Sequence, residues 1–268
     1  MPKAKVGDIS LYYEVHGKGR PVLLIAGLGS DISSWAGAIN KLAARFKVIA
    51  FDNRGTGRSE IPDRRYTVHQ MANDAIRLLD YLKIKKTHII GHSMGGYIAQ
   101  DLAINHPERV DKLILESTSS VSSERNNALF LDFYKELKRG KNLEAWIRRW
   151  TYWLFSKKCL ARKAFIEAFV KNGANYPYSQ PAKGFKGQID AIASFDTRKR
   201  LRRIKAKTFI IEGKEDILIL PEEAEALAKK ISGSIFQSVK DTAHCIHIEN
   251  LDLFVKAVMK FLQSARPI

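Results

Sequence analysis

Four short, nearly all-apolar runs, PVLLIAG at 21–27, FKVIAFD at 46–52, THIIGHS at 87–93 and VDKLILEST at 110–118, are separated by stretches of helical spacing. A strand that is apolar on successive residues must be covered on both faces, and parallel strands with crossover helices on either side achieve this. Residues 68–82 supply one such helix, with Met71, Ala75, Leu78, Leu79 and Leu82 on one stripe, and 97–105 a second. The start of the chain differs. Residues 2–6 and 9–16, joined at Gly7-Asp8, read as an antiparallel hairpin with Ile9, Leu11, Tyr13 and Val15 on one face.

The rhythm breaks at residue 120. About eighty residues follow without a clear strand, and Trp146, Trp150, Trp153 and Leu154 fall at helical spacing, as do Phe165, Ile166, Phe169 and Val170. Gly173, Pro177, Pro181, Gly184 and Gly187 predict a loop-rich exit. Strands resume at 206–213 and 234–239, and a last helix carries Leu253, Phe254, Ala257, Val258, Phe261 and Leu262. The expected organisation is an α/β core of residues 1–119 and 201–268, interrupted by a helical insertion at 120–200.

With 268 residues, 45% apolar and 27% charged, the chain suits one globular core rather than a disordered or fibrous chain. No apolar run approaches the ~18 residues of a membrane helix, and the first residues lack the apolar stretch of a secretory signal. A cytoplasmic location is therefore expected. Cys159 and Cys245 have no metal-binding spacing and read as two reduced thiols, so no structural metal is expected. The net charge of +17 is concentrated in the insertion, where residues 120–200 hold 17 basic and 7 acidic residues. These lie on amphipathic helices with no nucleic-acid-binding motif among them, so no specific nucleic-acid partner is expected. Monomer and homodimer are both left open.

The sharpest chemical signal is GHSMGG at 91–96, between a buried-strand pattern and a helical one. That context suits a nucleophile elbow, a turn so tight that side chains at positions 91 and 95 would collide with backbone while the Ser93 hydroxyl stands clear. Serine near neutral pH needs a base, and the base needs an orienting acid; in this architecture the chain order is Ser, acid, His. Asp216 follows the strand 206–213, and His244 follows the strand 234–239. Rivals exist for both: His247 for the base, and Glu215, Asp241 or Glu116 for the acid. His247, at a helix start, is expected to pack rather than react, and His92 to point away from Ser93.

Acyl transfer also requires two donors aimed at the developing oxyanion. The amide of Met94 is one, and the AGLGS loop after the third strand offers the amide of Leu28 as the other. The stretch DNRGTGRS at 52–59 reads as a turn organised by Arg54 and its glycines.

AGLGS, DNRGTGRS, GHSMGG, GKEDILILP and the spacing of His244, His247 and Glu249 together resemble the α/β-hydrolase superfamily, in its compact microbial branch of carboxylesterases and enol-lactonases. The resemblance spans nearly the whole chain outside the insertion. It implies a mostly parallel eight-stranded sheet flanked by helices, with a variable helical cap where the insertion falls. By position it also implies Ser93 as nucleophile, His244 as base and then acid, Asp216 as its carboxylate, and the amides of Leu28 and Met94 as oxyanion hole. Three departures stand out: Ala26 in place of the family's His before Gly27, Ala243 in place of the usual Gly, and Asn250-Leu251 where a Pro often follows the Glu. None removes a reacting group.

A serine at the elbow argues against dehalogenase and epoxide-hydrolase relatives, which attack with a carboxylate. The expectation is cofactor-free hydrolysis of a small-molecule ester of small to medium acyl chain, with Trp146, Trp150 and Trp153 as candidate pocket residues in the cap. An enol-lactonase acting on a carboxylate-bearing lactone is the second reading. A silent binding protein on the same fold is the third, to be separated by ligand binding that survives loss of Ser93.

Overall fold

The computed structural model describes residues 2–140 and 142–264; residue 1, Lys141 in the insertion, and residues 265–268 of the expected core lie outside the described residues. Strands β1 (Lys3–Val6), β2 (Ile9–His16), β3 (Arg20–Ile25), β4 (Phe46–Phe51), β5 (Thr87–His92), β6 (Val110–Glu116), β7 (Lys207–Gly213) and β8 (Ile235–Val239) form one eight-stranded sheet in the order β1-β2-β4-β3-β5-β6-β7-β8. The pairings of β2 with β1 and β4 are antiparallel and the others parallel. Helices are α1 (Ala36–Leu42), α2 (Val68–Tyr81), α3 (Met94–Asn105), α4 (Glu124–Lys138), α5 (Leu143–Leu154), α6 (Lys157–Leu160), α7 (Lys163–Ala174), α8 (Ala182–Ala193), α9 (Pro221–Lys230), α10 (Ile246–Glu249) and α11 (Leu251–Gln263). Among the described residues no helix is long and apolar enough to cross a membrane.

The apolar runs are buried on both sides because alternate residues enter different layers. Leu23, Ile25, Ile49 and Phe51 join one core with Met71, Leu78, Leu79 and Leu102 of α2 and α3. Val22, Leu24, Val48 and Ala50 join a second core with Leu42 of α1 and Phe254, Val258 and Phe261 of α11. Each such aliphatic side chain contributes roughly 1.5–3 kcal/mol of burial, which fixes the strand register against one-residue slips. Helix α2 starts where Thr67 and Gln70 form a reciprocal capping box.

The β1–β2 hairpin forms as expected, but Val15 is 39% exposed. Tyr13 packs on Tyr81, the last residue of α2, so Val15 extends past the end of the covering helix. The insertion contains α4–α8, with α4 against α8 and α5 against α7. The predicted loop-rich exit is corrected in part: Gly184 and Gly187 lie inside α8. Their role is close approach, since a Cβ on Gly184 would fall 1.9 Å from the Gly55 carbonyl and one on Gly187 2.8 Å from the Tyr66 ring. Helix α8 thereby rests directly on the 52–59 turn.

That turn is organised as expected. The buried Arg54 guanidinium is bidentate to Asp74 at 2.6 and 2.7 Å and reaches Asp8 at 3.2 Å. Asn53 Nδ2 donates to the Ala26 carbonyl at 3.0 Å, coupling this turn to the loop after β3.

Candidate active site

The loops at the carboxyl edge of the parallel strands carry the expected residues. Between β5 and α3, Ser93 takes φ +53° and ψ −118°, a left-handed conformation costing about 1–3 kcal/mol in a non-glycine residue. Hydrogen bonds hold it there: its amide donates to the Glu116 carbonyl at 2.9 Å, and its carbonyl accepts from the Gly96 amide at 2.8 Å and Thr118 Oγ1 at 2.9 Å. A Cβ on Gly91 would sit 2.3 Å from the Gly95 carbonyl, and one on Gly95 2.1 Å from that of Ile25, so the glycine requirement read from GHSMGG is steric.

The loop after β3 lies against this turn, since a Cβ on Gly27 would come within 3.3 Å of Ser93 Cβ. Among the described residues, neither the Leu28 nor the Met94 amide donates to a protein acceptor, while the next amide, Gly29, is taken by Gln188 Oε1 at 3.3 Å.

Of the acid candidates, Asp216 meets a histidine expected to react. Its Oδ2 is 2.7 Å from His244 Nδ1, and its Oδ1 accepts the amides of Leu218 and Ile219 at 2.8 and 3.0 Å. Both residues are buried. Glu116 instead serves His247, taking its amide at 2.9 Å and its Nδ1 at 2.8 Å through one oxygen, and His247 stacks on Trp35 at 4.2 Å. Glu215 accepts the Lys157 amide at 2.9 Å. Asp241 is exposed, at φ +54°.

His92 does more than pack. Its ring lies 4.8 Å from that of His244, and its Nε2 donates to the His244 carbonyl at 3.0 Å. Burial, aided by the neighbouring His247 and His244, holds His92 well below 6.5, so the ring is neutral. The residue before the elbow thus anchors the backbone of the residue that pairs with Asp216.

Other contacts were not foreseen. Glu249 accepts the Ala243 amide through one oxygen and Ser156 Oγ, at 2.7 Å, through the other, tying the His244 loop to the N-cap of α6. Arg125 Nη2 donates to the Ile217 carbonyl at 2.7 Å and Asn126 Nδ2 to that of Leu218 at 2.6 Å, so the first turn of α4 holds the Asp216 loop. Glu212 is fully buried at the end of β7. Its signal was present in the sequence, as a lone acid in the otherwise apolar FIIEG; the partners in the insertion had no local signal.

In the insertion, Trp150 stacks on Phe133 at 4.1 Å, and Trp146 donates from Nε1 to the Phe133 carbonyl at 2.9 Å. Both meet Phe185 edge-on, while Trp153 is partly buried beside the same core. Phe185 in turn approaches Gly29, 3.6 Å from where a Cβ would stand.

His92, Glu116 and His247 offer the one group of potential metal ligands among the described residues, their atoms within 4.8 Å of one another. Protein hydrogen bonds already engage these side chains, at His92 Nε2 and between His247 Nδ1 and Glu116 Oε1. Cys159 and Cys245 are free and buried, with burial pushing Cys159 up to about 11 and Cys245 well above 9.

A family model described as alpha/beta hydrolase fold matches residues 20–251. A relative from Azorhizobium caulinodans, named "Putative carbamate hydrolase RutD", is 31% identical over 97% of this chain and 98% of its own. Among solved structures, the enol-lactonase from Burkholderia xenovorans LB400 superposes with a TM-score of 0.89 at 27% identity, over 98% of this chain and 100% of that one. A thermophilic esterase from Thermogutta terrifontis gives 0.87 at 26%, over 98% of each. With the sheet order, the strained serine turn and matches along nearly its whole length, the chain belongs to the alpha/beta-hydrolase family and is a hydrolase of that fold.

Proposed function

We propose that the protein is a serine hydrolase that cleaves carboxylic esters of small to medium acyl chain through an acyl-enzyme on Ser93. The observation that carries the reading is the buried pair of His244 and Asp216, 2.7 Å apart, on loops at the same sheet edge as the Ser93 turn. Asp216 accepts the Nδ1 proton of His244, which fixes the tautomer and leaves Nε2 as the base. Nε2 takes the Ser93 proton as Oγ attacks the acyl carbon, and the carbonyl oxygen becomes an oxyanion. The unengaged amides of Leu28 and Met94 are the donors suited to it. Protonated His244 then gives its proton to the leaving alkoxide, and water, deprotonated by the same nitrogen, releases the acid and restores Ser93. These steps use protein groups and water alone.

In this reading residues 120–200 form a cap over the core segments 1–119 and 201–268, and the cap aromatics Trp146, Trp150 and Trp153 bound the acyl pocket. The arrival of Phe185 beside Gly29 supports this, because it brings the cluster that contains Trp146 and Trp150 to the loop of the Leu28 donor.

The relatives favour a second substrate class. The carbamate-hydrolase name of the 31%-identical relative and the enol-lactonase structure both point to acyl carbons bearing a different leaving group, for which the same steps apply. The test is initial-rate hydrolysis of p-nitrophenyl esters of increasing chain length, beside an aryl carbamate and a carboxylate-bearing lactone, with Ser93→Ala as control. A chain-length optimum abolished by that substitution supports the ester reading. Turnover of carbamate or lactone alone replaces it with the second, and ligand binding without turnover of any substrate replaces both with a binding role.

A further inference from the structure

Two acids share the end of β7, and they are unequally supplied with donors. Asp216 receives the amides of Leu218 and Ile219 on Oδ1 and the His244 ring on Oδ2. Glu212, fully buried, accepts the Gly213 amide on Oε1 at 3.0 Å, and its Oε2 is buried with no donor. The side chain of Glu212 lies against that of Asp216, across a turn closed by the Asp216 amide on the Gly213 carbonyl at 3.2 Å. Were both ionised, two acceptors would face each other in a dry interior, at a cost that ordinary burial energies do not offset. A single proton resolves the contact, and it belongs to the acid with fewer donors.

We propose that Glu212 is a positioning residue: as the neutral acid it donates its Oε2 proton to Asp216, holding that carboxylate in place opposite His244 with one negative charge on the pair. The surrounding groups agree with this. Glu116 on β6, paired with His247, is the other charged neighbour of Glu212, and Ser238 stands opposite it on β8. Burial, with the charges of Asp216 and Glu116 adding to it, pushes Glu212 well above the usual carboxylate range. The inference rests on the proposed roles of Ser93, His244 and Asp216.

The test compares Glu212→Gln, which keeps shape and a donor, with Glu212→Leu, which keeps only volume. Glu212→Gln is expected to retain kcat/KM within about threefold and to leave the acid limb of its pH profile in place, whereas Glu212→Leu loses about tenfold in kcat. An ionised Glu212 would help to hold a proton on His244. Its replacement by Gln would then move the acid limb down by about one pH unit, and that result overturns the proposal. Equal rates for the two variants also overturn it.

Two readouts need no substrate. Wild-type protein at neutral pH should give the infrared carbonyl stretch of a protonated carboxylic acid, lost in Glu212→Gln, and the NMR titration of the His244 ring should be unmoved by that substitution. Absence of the infrared band in wild type overturns the proposal whether or not either variant folds. Failure of folded wild type to hydrolyse any ester would instead overturn the ester reading and leave these two measurements to decide on Glu212.

Discussion

Among the described residues are two fully buried histidine–carboxylate pairs, three residues apart on the histidine side and nearly equal in geometry: His244–Asp216 at 2.7 Å and His247–Glu116 at 2.8 Å. They differ in what surrounds the rest of each ring. His247 is stacked on Trp35, and its Nε2 is buried with no partner. His244 stands against His92, the residue that leads into the Ser93 turn, and His92 fixes its backbone carbonyl. A paired imidazole is therefore not in itself a sign of catalysis. In the proposed mechanism the second nitrogen decides: that of His247 is sealed, and that of His244 serves as the base.

The comparison breaks most decisively at the proposed reacting groups. Ser93→Ala and His244→Ala are each expected to lower kcat on the active ester by roughly 10⁴-fold or more, and Asp216→Asn by about 10⁴-fold through the wrong tautomer, with melting temperatures little changed for the serine variant. His247→Ala should do the reverse. Removing one partner of a buried pair costs about 3–5 kcal/mol, to be measured by denaturant unfolding, while kcat per folded molecule stays within a few-fold. A loss of kcat equal to that of His244→Ala would dissolve the distinction between the pairs.

A pH experiment sharpens it further. Because burial holds His92 neutral well below 6.5, the unfolded chain binds a proton there that the folded chain refuses. Stability should thus fall as pH drops below about 6.5, by at most about 1.4 kcal/mol per unit from this residue. His92→Gln, which keeps a donor for the His244 carbonyl, should flatten that slope, as read from urea midpoints between neutral and mildly acidic pH. The smallest effect concerns Cys245, which lies between the two histidines. With burial pushing its thiol well above 9, thiol reagents should leave both it and Cys159 unlabelled in the native state, and label them on unfolding.

The sheet was legible because its strands are short apolar runs whose two faces both need cover, and the elbow because its glycines answer to steric limits a few residues away. Asp216 and His244 could be nominated from their places after strands, although nothing in the 27 positions between them pairs the two. What stayed hidden is what only the folded chain brings together. Glu116 and His247 meet across 131 positions, and nothing near either names the other. Gly184 and Gly187 read as loop residues because a glycine that permits close approach and one that permits a turn look alike in sequence. Glu249 belonged to a recognisable spacing, but its hold on Ser156 depends on where α6 begins.

Among the described residues, four fastenings join the insertion to the loops of Asp216 and His244: Glu249 to Ser156, Glu215 to the Lys157 amide, the Cys245 amide to the Leu154 carbonyl, and Arg125 with Asn126 to the Asp216 loop. They bear on how this scaffold can diversify or be re-engineered. On the proposed mechanism, a helix exchanged in the insertion to suit a new acyl group would also release a clamp on the His244–Asp216 pair, so turnover would change along with affinity. Grafted insertions should work here only when residues 125, 126, 154, 156 and 157 travel as part of the core.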